Sequence, residues 1–194
     1  MISLAAAGLA CRRGDRVLFR DLGFALGPGE ALRLTGANGV GKSSLVRLLA
    51  GLLRPFAGAV TREGAVGLVD ERPALDLHQP LGTALGFWRR IDSTPAARGH
   101  EIDAALGLAD LADVPVRYLS TGQRKRAALA RLAAAPAPIW LLDEPLNGLD
   151  TRWSAAAAAL VAAHRADGGI AVVASHQPID LPEASVLALE DFAG

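Results

Sequence analysis

The chain has 194 residues, and its 20 Lys and Arg residues balance 20 Asp and Glu residues, so its formal net charge is zero. This length suits one domain with a substantial core and is too short for two full domains. A neutral balance argues against a protein that coats nucleic acid or a membrane surface by bulk electrostatic attraction. The single cysteine, Cys11, cannot form an internal disulfide, which favours a reducing compartment.

Hydrophobic residues make up 51% of the chain, which raises the question of a membrane span. A helix that crosses a bilayer needs about 20 consecutive, largely apolar residues. The longest such run, residues 155–163, is much shorter and consists mostly of alanine. Arg12, Arg13 and Asp15 follow closely on the first residues, so no secretory signal is visible. We therefore expect a soluble, cytoplasmic chain.

The first predicted elements are two strands of a small antiparallel sheet, near residues 3–10 and 17–26, with a turn at Gly14-Asp15. Four further apolar runs are typical of buried strands: residues 31–34, 66–69, 139–142 and 170–174. Helices are predicted among them, over residues 42–53, 101–111, 122–134 and 152–165. This alternation indicates an α/β fold with a mainly parallel core sheet and helices on its faces.

A helical insert is predicted from about residue 77 to residue 119. Within it, residues 93–99 contain Pro95 and several small side chains, which is typical of a flexible connection. The sequence has no internal repeat, coiled-coil heptad or low-complexity tail. We therefore expect residues 1–194 to form a single domain.

The strongest local motif, Gly36-Ala37-Asn38-Gly39-Val40-Gly41-Lys42-Ser43, fits the P-loop pattern G-x-x-x-x-G-K-[ST]. It follows a predicted strand and opens a predicted helix, which is the context that the pattern needs. Its glycines let several backbone N–H groups converge on phosphate oxygens at the positive end of the helix. Lys42 adds a compact positive charge for the β- and γ-phosphates, and the Ser43 hydroxyl can ligate Mg²⁺.

The choice of lysine in this motif supports nucleotide binding. Only Lys42 and Lys125 are lysines among the 20 basic residues, and all the others are arginine. In a phosphate-binding loop, the compact charge of an ammonium group fits better than the planar fork of a guanidinium.

An apolar strand ends in two carboxylates at Asp143 and Glu144. Buried strands rarely end in paired acids unless both charges have partners. Beside a P-loop, Asp143 can hold Mg²⁺ through water, and Glu144 can orient or deprotonate the attacking water. We therefore expect the two acids to act in the same site as the P-loop.

Two further segments supply candidate contacts. Residues 119–123, Leu-Ser-Thr-Gly-Gln, precede a predicted helix, and a hydroxyl and a glycine at a helix N-terminus make a second anion site. Alone this is an ordinary helix cap, but it lies about 20 residues before the acidic strand end. His176 follows the strand at residues 170–174, which delivers it to the carboxyl edge of the sheet, where α/β folds place ligands. There its imidazole can contact a γ-phosphate.

In this order and spacing, the motifs resemble those of the nucleotide-binding subunits of ATP-binding cassette (ABC) transporters, over nearly the whole chain. Residues 36–43 look like Walker A, residues 119–123 like the signature motif, and residues 141–144 like the end of Walker B. Residues 146–150 look like the D-loop, and His176 looks like the switch histidine. The resemblance implies a P-loop NTPase fold of ABC type, with a small antiparallel β-subdomain and an inserted helical subdomain.

The resemblance also implies roles. It assigns catalysis to Lys42, Glu144 and His176, and the metal to Ser43 and Asp143. The ATP-contacting residues that it implies are Gly36, Ala37, Asn38, Gly39, Val40, Gly41, Lys42, Ser43, Ser44, Ser120, Gly122 and Gln123. In this family the signature of one subunit caps ATP held by the P-loop of another, so an ATP-dependent head-to-tail homodimer is expected.

More narrowly, the sequence is similar to the ATP-binding subunits of the heme exporter of bacterial cytochrome c maturation. The similar segments are residues 9–14, 87–88, 118–132 and 175–178, together with the compact length. This implies transmembrane permease subunits on separate chains, a place at the cytoplasmic face of the inner membrane, and no nucleic-acid partner.

Two positions depart from the family pattern. Many such ATPases carry an aromatic residue near position 12 that stacks on adenine, whereas Arg12 and Arg13 stand here. A guanidinium plane can stack in its place. The usual glutamine between the core and the helical insert is absent from residues 70–73, Asp-Glu-Arg-Pro, where Arg72 stands near the expected position.

Other functions remain open on the sequence. The chain fits an ATPase subunit of a transporter for another substrate, or a nucleotide-binding module that regulates without hydrolysis. A DNA-repair or chromosome ATPase would need a long coiled-coil insert or a basic surface, and the chain has neither. The signature, the D-loop and His176 argue against a P-loop kinase or GTPase.

Overall fold

The computed structural model describes residues 2–194. The strands of this part of the chain are β1 (Ser3–Arg13), β2 (Arg16–Leu26), β3 (Ala31–Thr35), β4 (Ala57–Glu63), β5 (Val66–Val69), β6 (Ile139–Asp143), β7 (Ile170–Ala174) and β8 (Ser185–Ala188). Its α-helices are α1 (Lys42–Ala50), α2 (Leu81–Ile91), α3 (Ala96–Ala105), α4 (Thr121–Ala134) and α5 (Thr151–Ala166).

The core is a parallel sheet of five strands in the order β5-β6-β7-β3-β8. Every residue of β6 and β7 is buried, because helices cover both faces of the sheet. This confirms the predicted α/β fold with a mainly parallel core.

Side chains of β6 alternate between two hydrophobic clusters. Ile139 and Leu141 pack in the cluster that contains the apolar side of α1 and the inner face of the antiparallel sheet. Trp140 and Leu142 pack on the opposite side, with α2, α4 and α5. Full burial of each such side chain stabilises the fold by about 1.5–3 kcal/mol. The strand is thus fixed in register, and with it the acids at its end.

The antiparallel sheet has the order β2-β1-β4 and contains the predicted hairpin. Gly14 has a φ of 59°, which the tight turn between β1 and β2 requires. Strands β4 and β8 were not predicted. Six of the seven residues of β4 are exposed, so the strand lacks the apolar alternation that would reveal it.

The helices differ from the sequence prediction in three main respects: α2 was not predicted as a separate helix, α1 ends earlier, and α3 spans Ala96–Ala105 instead of residues 101–111. Helix α1 ends at Ala50 instead of Leu53, because Gly51 takes the left-handed conformation (φ 77°) that closes a helix. Helix α3 begins at Ala96, inside the segment predicted to be a flexible connection. The fixed φ of Pro95 suits the residue before a helix, so the proline starts this helix instead of preventing one.

The insert between residues 77 and 119 contains α2, α3 and short 3₁₀ turns, and it packs on α4. An ion pair between Arg89 and Asp103, with an N–O distance of 2.6 Å, joins α2 to α3. Over residues 2–194, none of the helices combines the length and the apolar character that a bilayer crossing requires.

Candidate nucleotide-binding and catalytic site

The carboxyl ends of three core strands bring the predicted site residues together. The P-loop follows β3, Asp143 ends β6 and is followed by Glu144, and His176 comes two residues after β7. Since β6, β7 and β3 are neighbouring parallel strands, their carboxyl ends meet at one edge of the sheet. The structure therefore places Lys42, Glu144 and His176 at the same edge.

The P-loop turns back on itself around Lys42. Gly36, Gly39 and Gly41 have φ values of 139°, 80° and 120°, which side chains with a β-carbon rarely adopt. Only 6% of Lys42 is exposed, and its Nζ donates to the carbonyl oxygen of Gly36 at 2.6 Å and to that of Ala37 at 3.1 Å. The loop thus encloses the ammonium group that the motif predicts for the phosphates.

The N-terminus of α1 is open. Its first residue is preceded by Gly41, and no side chain caps the helix. The unpaired N–H groups of a first helical turn, together with the helix dipole, attract an anion. The other predicted contacts flank this opening along the chain: Asn38, Gly39 and Val40 precede α1, and Ser43 and Ser44 belong to its first turn.

Asp143 is a buried carboxylate with an unused oxygen. It is 4% exposed, and its Oδ1 has no hydrogen-bond partner within residues 2–194. Burial raises the pKa of Asp143 most, the Ser43 hydroxyl lowers it, and the charge of Glu144 raises it further. A buried carboxylate oxygen without a hydrogen-bond partner, next to a hydroxyl oxygen, provides the kind of oxygen ligands that Mg²⁺ prefers.

Glu144 is held in an uncommon conformation beside His176. It has a φ of 48°, in the left-handed region that non-glycine residues seldom occupy outside functional or turn positions. Its Oε2 lies 2.7 Å from Nδ1 of His176 and 3.3 Å from the backbone nitrogen of that residue. With Nδ1 donating to the carboxylate, Nε2 of the imidazole is left for a ligand.

The signature segment lies elsewhere. Ser120 and Gln123 form a capping box at the start of α4: the Ser120 hydroxyl oxygen accepts from the Gln123 N–H, and the Gln123 side chain accepts from the Ser120 N–H. A β-carbon at Gly122 would collide with the carbonyl oxygen of Gly148, so the segment packs tightly on the loop after β6. None of its described hydrogen bonds reaches the P-loop of the same chain.

A cavity of about 240 Å³ connects the signature segment to the acidic strand end. Thr121, Glu144 and Asn147 line it, together with Lys125 and residues of the loop that follows β5. No P-loop residue contributes to its lining. Thr121 of the signature segment thus shares a cavity with Glu144, whereas the predicted residues Ser120, Gly122 and Gln123 neither line it nor form hydrogen bonds to the phosphate-binding turn.

Glu190 was not predicted from the sequence. Its carboxylate Oε1 accepts a hydrogen bond from the Ala37 N–H at 2.5 Å, which lowers the pKa of Glu190. The residue follows β8, a strand that the sequence did not reveal, and lies 153 positions from its partner. Only the three-dimensional pairing of β8 with β3 brings it to the P-loop.

At the first departure from the family pattern, the Arg12 guanidinium lies over the ring of Phe56, 4.8 Å from its centroid. Phe56 is 55% exposed, so the pair forms a flat, cationic surface patch. At the second departure, the Arg72 N–H donates to the Asp70 carboxylate at 2.8 Å, and the Arg72 side chain is exposed.

The family model described as ABC transporter matches residues 19–147, more than half of the chain. A protein described as an ABC transporter ATP-binding protein, from Pyrococcus furiosus, has the same fold, with a TM-score of 0.86 and 17% identity over 99% of this chain and 100% of that one. A bacterial Atm1-family ABC exporter with ATP bound aligns at a TM-score of 0.77 and 22% identity, over 91% of this chain and 34% of that one. Fold and site therefore define an ABC ATPase.

Two relatives narrow this class. A cytochrome c biogenesis ATP-binding export protein, CcmA, from Novosphingobium aromaticivorans is 61% identical over 189 residues, which cover 97% of this chain and 96% of that protein. The protein of the same name from Sphingopyxis alaskensis is 51% identical, over 97% of each chain. The chain belongs to the ABC transporter family and, within it, to the family of cytochrome c biogenesis ATP-binding export proteins. Its motifs are accordingly those of an enzyme that hydrolyses ATP.

Proposed function

We propose that the chain is the ATP-hydrolysing subunit of the heme exporter of bacterial cytochrome c maturation. It works as an ATP-dependent homodimer, with Mg²⁺, on permease subunits at the cytoplasmic face of the inner membrane. The observation that supports this most is the meeting of Lys42, Asp143 and the Glu144–His176 pair at one sheet edge. The names of the relatives at 51–61% identity supply the cytochrome c context.

Positioning and charge account for most of the catalysis that this site offers, because phosphoryl transfer needs little covalent chemistry from the protein. The N–H groups at the start of α1 and the Lys42 ammonium hold the β- and γ-phosphates. Ser43 and Asp143 would hold Mg²⁺, which when bound would neutralise charge on the phosphate oxygens. The buried, unpartnered Oδ1 of Asp143 supports this assignment.

Glu144 acts on the attacking water. One of its carboxylate oxygens is occupied by His176, so the other is free to accept a proton from water or to orient it. His176 keeps the carboxylate in place through Nδ1. Its Nε2 can donate to a γ-phosphate oxygen when both ring nitrogens carry a proton, so the pair responds to the presence of that phosphate.

The signature segment completes the site from a second copy of the chain. The Ser120 hydroxyl oxygen accepts the capping hydrogen bond, which leaves its proton free to donate to a phosphate of the partner's nucleotide. Because each chain has one P-loop and one signature, a symmetric pair makes two equal sites, which is an isologous interface. Closure then depends on ATP, and hydrolysis opens the pair.

The permease contact lies on the helical insert. A groove of about 510 Å³ is lined by Ala74, Leu75, Phe87 and Trp88, among others, and Phe87 is 50% exposed. Trp88 Nε1 donates to the Ala74 carbonyl oxygen at 2.6 Å and so fixes one wall. We assign to this groove a helical segment of a permease subunit, since a subunit of an ABC transporter must pass its motion to membrane chains.

The loop after β5 joins this groove to the catalytic side. Pro73 lines both the groove and the cavity next to Glu144. A permease segment seated in the groove would therefore press on the same loop that borders the catalytic acid. Through this loop, closure of the ATPase pair is coupled to movement of the permease.

The deciding experiment compares the purified chain with its complex with the permease subunits in lipid nanodiscs. ATP hydrolysis is measured with and without the permease, and bound heme is measured with and without ATP. We expect hydrolysis that the permease stimulates, and a heme content that changes on addition of ATP. Stimulated hydrolysis without heme would indicate a transporter for another substrate. A complex that binds ATP but never hydrolyses it would indicate a regulatory module.

Phe87→Asp tests the groove. A charge on this exposed apolar side chain should abolish co-purification with the permease and leave the hydrolysis of the free chain unchanged. Leu52→Asp is the matched control, because Leu52 is 67% exposed and lies just after α1, outside the groove. Permease binding that survives Phe87→Asp would remove the groove from this role.

A further inference from the structure

The second lysine of the chain is buried where three elements meet. Lys125 lies near the start of α4 and is 8% exposed. Its Nζ donates to the carbonyl oxygen of Asp70 at 3.3 Å and to that of Asp143 at 3.5 Å. Asp70 directly follows β5 and Asp143 ends β6, so one ammonium group spans the ends of two neighbouring strands.

This ammonium group lies in acidic surroundings. The carboxylates that act on it are, in decreasing order, those of Asp143, Asp70, Glu71 and Glu144. Burial lowers the pKa of Lys125, and these four charges oppose the change. Removing the ammonium would delete two hydrogen bonds and leave the carboxylates to repel one another across the cavity.

We propose that Lys125 is a positioning residue that couples the loop after β5 to the acidic end of β6. Through it, a displacement of residues 70–73, of which Pro73 lines the permease groove, moves Asp143 and Glu144, and a rotation of α4 does the same. The inference rests on the proposed function, because it assigns a task within ATP hydrolysis and its coupling to the permease.

A lysine suits this task better than an arginine. An ammonium is a compact donor with three N–H bonds, so it can serve two converging carbonyl oxygens and keep one bond for a third acceptor. Lys42 does the same in the P-loop, where it donates to the carbonyl oxygens of Gly36 and Ala37. In a chain whose other basic residues are all arginine, both lysines occupy such positions.

Lys125 also provides a link between residues 70–73 and the catalytic side, where the usual glutamine is absent. The Arg72 side chain is exposed and lines a different cavity, of about 420 Å³, along β5. It is therefore not directed at Glu144. The loop reaches the catalytic side through its backbone, at the Asp70 carbonyl oxygen that Lys125 binds.

The test uses Lys125→Met and Lys125→Gln in the full chain with its permease subunits. Methionine keeps the length and the helix propensity but donates no hydrogen bond, whereas glutamine keeps a neutral donor. Arg126→Lys is the matched control: Arg126 is buried one residue further on, but it donates to Leu106 and Gly107 of the insert. The measurements are kcat, KM for ATP, the affinity for Mn²⁺ in the presence of ATP, and amide hydrogen exchange.

With Lys125→Met we expect kcat and its stimulation by the permease to fall about ten- to hundredfold, as for a small misplacement of catalytic groups. KM for ATP should stay within about twofold, because the P-loop is not touched. Mn²⁺ affinity should fall, and exchange should rise in residues 70–73 while residues 36–50 stay protected. Lys125→Gln should recover part of each effect, and Arg126→Lys should raise exchange in the insert instead.

Wild-type kcat in Lys125→Met overturns the inference, and so does unchanged exchange in residues 70–73. A fall in kcat accompanied by an equal rise in KM overturns it as well, because it would show damage to nucleotide binding. Failure of the proposed function looks different: the wild-type complex itself would show no stimulated hydrolysis. In that case the exchange and Mn²⁺ measurements on the variants still decide whether Lys125 links the two strand ends.

Discussion

Helices α1 and α4 begin in opposite ways. The residue before α1 is Gly41, which has no side chain, and no side-chain hydrogen bond caps this helix. The residue before α4 is Ser120, whose capping box with Gln123 satisfies the N–H groups of those two residues. The N-terminus of α1 is thus open to an anion, whereas that of α4 is partly closed by its own side chains. Of these two helices, α1 presents uncapped N–H groups beside a lysine, and α4 offers the Ser120 hydroxyl proton to a phosphate that a second chain would hold.

The largest effect is expected for Glu144, the proposed general base. We expect Glu144→Gln to lower ATP turnover about 10²- to 10⁴-fold, the range that a general base contributes. Glutamine keeps an oxygen for the His176 Nδ1 proton, so the geometry at 2.7 Å is preserved while the charge is lost. Steady-state hydrolysis and analytical ultracentrifugation with ATP should show slow turnover and stable dimers.

Glu101→Gln is the control for this variant, because Glu101 is exposed on α3. It should behave like the wild type in both measurements. Turnover of Glu144→Gln at the wild-type rate would show that Glu144 does not activate water. The difference between α1 and α4 would then concern phosphate binding alone.

Lys42→Ala removes the charge at the open helix. Hydrogen bonds to charged groups contribute about 1.5–3 kcal/mol, so ATP affinity should fall about ten- to hundredfold. Lys42→Arg should not restore it, because the planar guanidinium cannot enter the space between the Gly36 and Ala37 carbonyl oxygens in the same way. Isothermal titration with ATP measures both. Normal affinity of Lys42→Ala would contradict the P-loop assignment, and normal affinity of Lys42→Arg would contradict the requirement for a point charge.

The parts of this site that depend on local sequence patterns could be predicted. Glycine spacing revealed the P-loop, and unbroken apolar runs revealed β6 and β7, so the acids and His176 could be placed at one edge. Contacts between positions far apart in the sequence could not be predicted. Lys125 meets a carbonyl oxygen 55 positions away, and Glu190 meets the P-loop across 153, because tertiary packing and not local periodicity joins them.

Mixing two inactive chains tests whether the closed helix serves another molecule. Ser120→Arg blocks the signature but leaves its own P-loop intact, and Lys42→Ala does the reverse. In an equimolar mixture, about half of the dimers contain one chain of each variant, and each of these dimers has one intact site. Hydrolysis should therefore recover to about a quarter of the wild-type rate. The readout is ATPase activity against mixing ratio. A Ser120→Arg chain that cannot bind ATP as a monomer would refute the shared site.

The smallest effect concerns the caps themselves. Ser120→Ala removes the acceptor of the Gln123 N–H, and loss of such a cap costs about 1 kcal/mol of stability. Ser44→Ala, in the first turn of α1, should change the free energy of unfolding by less than about 0.5 kcal/mol, because no cap is lost there. Urea unfolding without nucleotide measures both. Equal losses would mean that Ser44 supports its helix as Ser120 does, and the two N-termini would then differ in sequence but not in how they are stabilised.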